Sequence, residues 1–332
     1  MQDSAELDET DRALVNVLQV APRASWAEVG AALSVNPVTA ARRRARLHDS
    51  GLARVTAYPN LAAWARHRCL AFVEVDCDPA TRPDVVNRLA RVPRVASVTI
   101  ASSGRDLYLT VLAPDLTELS TTVLGLTGVR GTRTHLVTRL FTEGATWRLD
   151  ALDSGQRAAL HPPSRAAAVL PNGDRDLLLA LSDGRLGVTE IAERTGTSVS
   201  TARRRLNRAL RDGTLSFRCE TAQRVTGWPV SASFWARVPP PELHAVATGL
   251  IGLPEIRMCA AVTGTDNLVL NLWLRSLADS QRFEEQLSTR FPTLTVTDRT
   301  IELHAVKRMG CLLTPAGHPH EFLPVDPWTD RL

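Results

Sequence analysis

The chain writes nearly the same arginine-rich octapeptide twice, TAARRRAR at residues 39–46 and TARRRLNR at 201–208. The likeness extends through the flanks. DRALVNVLQVAPRASWAEVG (11–30) aligns with DRDLLLALSDGRLGVTEIAE (174–193) after one gap, and Gly51 and Gly213 fall at the same place just beyond the arginines. An internal repeat of this length constrains the fold more than any composition does, because whatever one copy builds the other must build again.

Each copy reads as three short helices. Leu14, Val17 and Leu18 sit at helical spacing, and Leu177, Ala180 and Leu181 repeat the stripe. Ser25 and Glu28 form an S-x-x-E capping box for a second helix, a box that Gly187 removes from the second copy. Asn36-Pro37 supplies an N-cap and a first-turn proline for the third helix, and Ser198 takes the capping role in the other copy. Both third helices stop near glycine. A leading helix and two more joined by a tight turn make a helix-turn-helix whose last helix carries the arginines.

A second pattern follows in both copies. In the first, strands are expected at 69–77, 95–102, 106–113 and 131–141, with helices at 81–92 and 115–126. In the second, the strands fall at 230–238, 256–262, 267–274 and 295–306, and the helices at 241–251 and 279–291. The order βαββαβ is ferredoxin-like: two helices cover one sheet face and leave the other open, so pairing between the copies, or between chains, should bury it. The expected fold class is therefore α+β, a tandem repeat of a winged, trihelical helix-turn-helix domain followed by a ferredoxin-like domain. The segments are 1–60 and 172–225 for the helix-turn-helix units, 65–143 and 229–309 for the sheets, 144–171 for an Ala- and Pro-rich linker with a helical turn or two, and 310–332 for an irregular tail.

Composition narrows the function classes. The 332 residues carry a net charge of +4, which permits a nucleic-acid partner without demanding one. Among the 39 basic residues Lys307 is the single lysine, so arginine is the default cation here and position matters more than abundance. Five cysteines form no C-x-x-C pair, which suits buried reduced thiols. No apolar run approaches the roughly 20 residues of a membrane span, and the acidic start lacks an apolar signal core, so a cytoplasmic protein with no membrane partner is expected. Walker A, G-x-G-x-x-G and G-x-S-x-G motifs are absent, and His318 and His320 alone do not build a zinc site; no catalytic residue, metal or cofactor is expected.

A helix-turn-helix followed by βαββαβ resembles the Lrp/AsnC (feast/famine) family of prokaryotic transcription regulators. LDETDRALVNVL (7–18) is similar to that family's opening helix, LSVNPVTAARRRARLHDSGLARV (33–55) to its recognition segment, and TRTHLVTRL (132–140) to its last strand. Where the family writes T-G-x-x-D-L, this chain has SSGRDL (102–107) and TGTDNL (263–268). Ordinary members have one copy and dimerise, so the resemblance implies two members fused into an intramolecular pseudo-dimer, assembling further into a homo-oligomer. It implies a bacterial regulator that binds double-stranded DNA and senses an amino acid or other small-molecule effector.

On that reading the third helices enter the major groove, with their first turns at base edges. The residues placed there are Asn36, Thr39, Arg42, Arg43 and Arg44 in the first copy, and Ser198, Ser200, Thr201, Arg203, Arg204 and Arg205 in the second. Arginine pairs bidentately with guanine or holds phosphate, the first giving specificity and the second affinity. Because Arg203 stands opposite Ala41, an imperfect, asymmetric operator is expected. The resemblance places an effector at the two turns, on Ser103, Gly104 and Asp106 and on Gly264, Asp266 and Asn267; a plain polar hairpin turn has the same composition. Two other classes fit the fold. Siroheme decarboxylases share this build and bind a tetrapyrrole in the sheet cavity, which could recruit Arg133, His135, Arg299 and His304, although His135 and His304 otherwise read as structural or surface histidines. A sensor acting only through protein partners is the third.

Overall fold

The computed structural model of the protein describes residues 7–163, 166–181 and 183–329. The acidic first six residues, on which the expectation of no signal segment partly rests, lie outside them.

The first copy opens with α1 (Glu9–Val20), α2 (Trp26–Leu33) and α3 (Pro37–Asp49), and each start is capped as its sequence dictates. Asp8 accepts the Asp11 N–H, Ser25 and Glu28 form the reciprocal capping box, and Asn36 accepts the Val38 N–H ahead of Pro37. Leu14, Val17 and Leu18 are buried against Val29, Ala40 and Leu47, so each helix contributes one apolar stripe to a small core. Strand β1 (Ala53–Pro59) and a short helix α4 (Leu61–His67) lead into the sheet domain. There, β2 (Cys69–Cys77), α5 (Arg82–Arg91), β3 (Val95–Ala101), β4 (Leu107–Ala113), α6 (Leu116–Leu124) and β5 (Val129–Thr142) follow in the expected order.

After the linker helix α7 (Ser154–Ala158) the pattern returns, with a shorter opening. A three-residue 3-10 turn precedes α8 (Arg175–Ala180), followed by α9 (Val188–Thr195) and α10 (Val199–Asp212). Only half of a capping box survives at α9, where the Glu190 carboxylate accepts the Gly187 N–H at 3.4 Å. Strands β6 (Leu215–Thr221) and β7 (Val230–Arg237), helix α11 (Leu243–Leu250), strands β8 (Ile256–Val262) and β9 (Leu268–Leu274), helix α12 (Ala278–Arg290) and strand β10 (Thr295–Arg308) complete the second copy. The tail is less irregular than its prolines suggest: β11 (Cys311–Leu313) and β12 (Pro319–Phe322) pair with each other, and β11 continues the sheet from the end of β10.

The open sheet faces bury themselves against each other within the one chain. Strand β5 pairs with β2 through Leu136 and then bends onto β8 from Val137 onward. Strand β10 repeats the move, pairing with β7 through Ile301 and with β3 from Glu302. The eight strands β3-β4-β2-β5-β8-β9-β7-β10 therefore close into a ring. Leu70, Phe72, Leu112, Trp235, Val262 and Val269 fill the space between the two faces, while separate cores lie under the helices of each sheet. Closure removes the exposed edges that a four-stranded sheet otherwise offers to another chain.

Sequence periodicity gave no hint of the second union. Strands β1 and β6, one from each helix-turn-helix unit, form an antiparallel ribbon from Ala53↔Thr221 to Pro59↔Leu215. Gly51 and Gly213, both at positive φ (65° and 62°), turn the chain from the third helix into this ribbon. Neither tolerates a side chain there, since a Cβ would lie 2.6 Å from the Pro319 carbonyl oxygen at Gly51 and closer still to Ala166 at Gly213. All five cysteines are buried and free.

Candidate functional site

Helices α3 and α10 each present a mostly polar outer face, and their arginines fall into distinct groups. Arg43 donates to Asp8 and Asp11, and Arg46 also reaches Asp11, whose side chain is 1% exposed. The second copy builds the same clamp: Arg205 bonds Asp174 at 3.0 Å and Asp176, and Arg208 bonds Asp174 at 2.7 Å. The fifth and eighth residues of each octapeptide thus tie the third helix to the acidic start of the first. Arg44 crosses between the units to Asp183; burial raises the Asp183 carboxyl, but the guanidinium outweighs it and holds the group below the usual carboxylate range. Arg43, Arg44 and Arg205, all placed at DNA on sequence grounds, therefore hold partners inside the protein.

Arg42, Arg203 and Arg204 differ. All three are exposed, and none has an ion-pair partner among the described residues. Asn36, Thr39, Ser198 and Ser200 are exposed on the same first turns, and Thr201 is half-buried. Asn36 and Ser198 are occupied in part as caps, Ser198 accepting the Thr201 N–H at 3.2 Å.

The two units face each other through a reciprocal clasp. Arg23, in the turn after α1, donates to the Leu186 carbonyl at 3.0 Å and to Gly184. Arg185, its counterpart after α8, donates to Pro22 and Ala24, both at 2.7 Å, and stacks on Trp26 at 4.1 Å. Burial lowers the Arg185 guanidinium to about 10. Clasp and ribbon together fix the spacing of the recognition helices. Their sequence signal was an arginine at the same place in both copies, visible only once the copies are aligned.

The two turns are also matched. Asp106 accepts the Cys77 N–H and pairs with Arg82, while Asn267 accepts the Val238 N–H at 3.0 Å and donates to the Val238 carbonyl at 2.8 Å. Each side chain thus pins the end of the first strand of its own sheet, and the amide does what the carboxylate does. Each turn also leans on the other copy: Ser102 exchanges hydrogen bonds with Ile301, and Thr263 with Leu136. Ser103 and Gly104 are exposed, Gly104 at φ 69° with nothing near its missing Cβ. Gly264 packs close to His135, where a Cβ would lie 3.0 Å from Nδ1, and Asp266 stands 3.9 Å from Arg237.

The histidines and arginines of the tetrapyrrole alternative do not converge. His135 Nε2 bonds Glu74 at 3.0 Å, and Arg133 bonds the same buried carboxylate. Burial works to raise the Glu74 carboxyl, but His135 and Arg105 hold it below its usual value. Arg299 instead pairs with Glu284 on α12, and His304 reaches the Thr314 carbonyl. The space between the sheets is a cavity of about 110 Å³, small beside the roughly 300–1,000 Å³ that drug-sized ligands occupy.

Comparison with known proteins follows the same division. An AsnC-type helix-turn-helix domain matches residues 7–48, and a winged helix-turn-helix DNA-binding domain matches 174–215. The Lrp/AsnC ligand binding domain matches twice, at 70–146 and 231–311. An uncharacterized HTH-type transcriptional regulator of Pyrococcus horikoshii is 33% identical over 137 residues, 40% of this chain and 87% of the relative. A similarly described regulator of Pyrococcus abyssi is 32% identical over the same shares, so these relatives are archaeal rather than bacterial. Among solved structures, the siroheme decarboxylase NirDL covers 91% of this chain and 93% of its own, with a TM-score of 0.61 and 13% identity, a likeness of fold alone. The chain belongs to the Lrp/AsnC family of DNA-binding transcription regulators, with the family's helix-turn-helix and ligand-binding domains present twice in tandem.

Proposed function

We propose that this regulator reads an imperfect, asymmetric operator in double-stranded DNA as a single-chain pseudo-dimer. One observation carries the reading: after the aspartate clamps have taken Arg43, Arg46, Arg205 and Arg208, the arginines left exposed and without an ion-pair partner among the described residues are Arg42 on α3 and both Arg203 and Arg204 on α10. Arg42 and Arg204 occupy equivalent positions and suit matching contacts in the two half-sites; Arg203 has Ala41 opposite it and adds a contact on one side only. Asn36, Thr39, Ser198, Ser200 and Thr201 border the same groove face. The clamped Arg43 and Arg205 orient the helix that carries these contacts.

The turns at Ser103, Gly104 and Asp106 and at Gly264, Asp266 and Asn267 are the proposed seat of an amino-acid-like effector. Their attachment to the last strand of the opposite copy supports that role, since a ligand there touches the seam of the ring. Leu116 and Leu277, equivalent residues that are 61% and 63% exposed, support further assembly into a homo-oligomer. The protein acts in the cytoplasm, without membrane partner, cofactor or catalytic step. The decarboxylase reading has less support, because Arg133 and His135 lie at one wall of the barrel while Arg299 faces α12 and His304 faces the tail.

The test is a footprint across genomic fragments, beginning with the region upstream of its own gene. The expected result is protection of two half-sites about one DNA turn apart, with affinity falling steeply as salt rises. Absence of binding to any genomic fragment at low salt overturns the proposal, and equal base preferences in both half-sites overturn the asymmetry.

A further inference from the structure

The cavity between the sheets has a charged wall that neither recognition helix nor turn uses. Arg218 on β6, Arg257 on β8 and Arg308 at the end of β10 all line it, and Arg218 and Arg257 are each more than nine-tenths buried. Behind them stands Glu220, fully buried and outside the cavity lining. It touches Arg218, but lies 3.8 Å from Arg257 and 3.6 Å from Arg308. Neither Glu220 oxygen accepts an aligned hydrogen bond, and Arg218 Nε and Nη2 and Arg308 Nη1 are buried donors without an aligned acceptor. Buried polar groups are seldom left this way, and guanidiniums converging on one imperfectly matched carboxylate keep donor capacity that a second anion can use.

The remaining acids of the wall are engaged. Glu302 accepts from Asn271 and Ser233, and Glu143 accepts the Tyr58 hydroxyl at 2.7 Å. Three guanidiniums thus gather at ion-pair range of Glu220, while Glu143 and Glu302, on the same wall, accept their hydrogen bonds from neutral groups. The remaining lining mixes apolar Leu70, Phe72, Met258 and Met309 with polar Ser97, Thr99 and Thr110, and Lys307 adds a further basic side chain. Arg257 lies over Trp273, 3.5 Å from its ring centre, and Arg308, 5.6 Å from the same ring, donates to the Gln223 side chain at 3.2 Å, so both are positioned before any ligand arrives. Gly144 gives Arg218 its room, as a Cβ there would fall 2.5 Å from Nη1.

We propose that this inter-sheet cavity is a second ligand site, distinct from the turns, for a small monocarboxylate with a short apolar body, its carboxylate on Arg218 and Arg308 and its alkyl part against Met258 and Phe72. At about 110 Å³ the space suits a three- to five-carbon acid; an engineered apolar cavity of about 150 Å³ holds benzene. A short-chain fatty acid and a 2-oxo acid share this chemistry. The site stands on the cavity geometry and holds whether or not the chain binds the operator proposed above.

The experiment is thermal denaturation of the full chain, without DNA, with propionate, isobutyrate, isovalerate and pyruvate. Isobutyramide serves as the uncharged match, and sodium chloride as the control for ionic strength. A saturable rise in midpoint on the order of 2–5 °C is expected with at least one acid, accompanied by a change in Trp273 fluorescence, and none with the amide or chloride. The relative strength of pyruvate and isobutyrate separates the two sources. Arg308→Met removes the response by removing the charge, and Met258→Phe removes it by filling the space while leaving every arginine in place. Near-UV circular dichroism identifies which variants are folded. No saturable response to any of the four acids, an equal response to isobutyramide or chloride, or an unchanged response in a folded variant overturns the proposal.

Discussion

Helices α3 and α10 carry nearly the same octapeptide and are held in place differently. Position six of the octapeptide is Arg44 in one and Leu206 in the other. Leu206 is 3% exposed, packed in the core of its own unit with Ile191 and Ala202. Arg44 leaves its unit and pairs with Asp183 of the second. The second unit thus has a core residue more under its recognition helix, while the first is steadied partly by its neighbour. The openings differ in the opposite sense: α1 has 12 residues and α8 has six behind a 3-10 turn, yet Asp11 and Asp174 are clamped alike. Divergence is concentrated where a residue serves one copy, and identity persists where an ion pair sets the angle of the groove-facing helix.

That contrast can be broken or sharpened in four ways. Replacing Arg42 and Arg204 together by alanine should weaken operator binding about 10²–10⁴-fold, at roughly 1–3 kcal/mol per arginine, with little change in melting temperature. A gel shift beside a melting curve checks this; a large loss of stability instead would assign those arginines to the fold. The next effect concerns Lys307, fully buried, whose counterpart in the first copy is Thr142. Burial lowers its amine to about 7 from an ordinary 10.5. The unfolded chain therefore binds more protons between those values, so stability should rise with pH from about 7 to 10.5 and be lowest below that window. Lys307→Met should stabilise the protein at pH 7 by on the order of 1–3 kcal/mol and flatten the profile, read by urea titration at several pH values.

Asp11→Ala and Asp174→Ala test the clamps. Each leaves two partly exposed arginines to find water, so the expected cost is about 1–2 kcal/mol, nearer a surface pair than a buried one. Similar losses support equal roles; a much smaller loss at Asp174 would mean the 3-10 turn has made the clamp redundant. The smallest effect belongs to Ala41→Arg, which copies Arg203 into the first unit. Salt dependence should steepen by about one unit if the new arginine reaches phosphate, and base preferences in the two half-sites should converge if it reads a base.

The repeated elements were legible because their causes are local. Helical spacing at Leu14, Val17 and Leu18, the Ser25–Glu28 box and the alternation of the strands all act within a few residues. The expected β2 at 69–77 and β8 at 256–262 match the observed strands to the residue. The unions between the copies were not legible in detail. Strand β1 finds its partner about 160 residues later, α4 is set by the Asn60 cap and by Trp64 donating to the Cys69 and Ala113 carbonyls of the sheet, and the tail strands form only because β10 is there to extend. For the site, sequence located the octapeptides but not the division of labour within them. Whether an arginine meets DNA or an aspartate 30 residues upstream depends on which face the folded helix turns inward, and the aligned Asp11 and Asp174 were the available clue.

The closed ring has a consequence for how such a regulator meets its target in the cell. A protein assembled from two separate chains has a dissociation threshold, and its occupancy of DNA falls as a steep power of concentration below it. Here the two reading heads share one covalent thread, with each other's partner strand at a fixed effective concentration. For one chain on one operator, occupancy should then follow a simple first-power dependence, since no pairing of the two heads has to precede it. A substitution in one head also no longer alters both at once, so each half-site can drift to its own sequence.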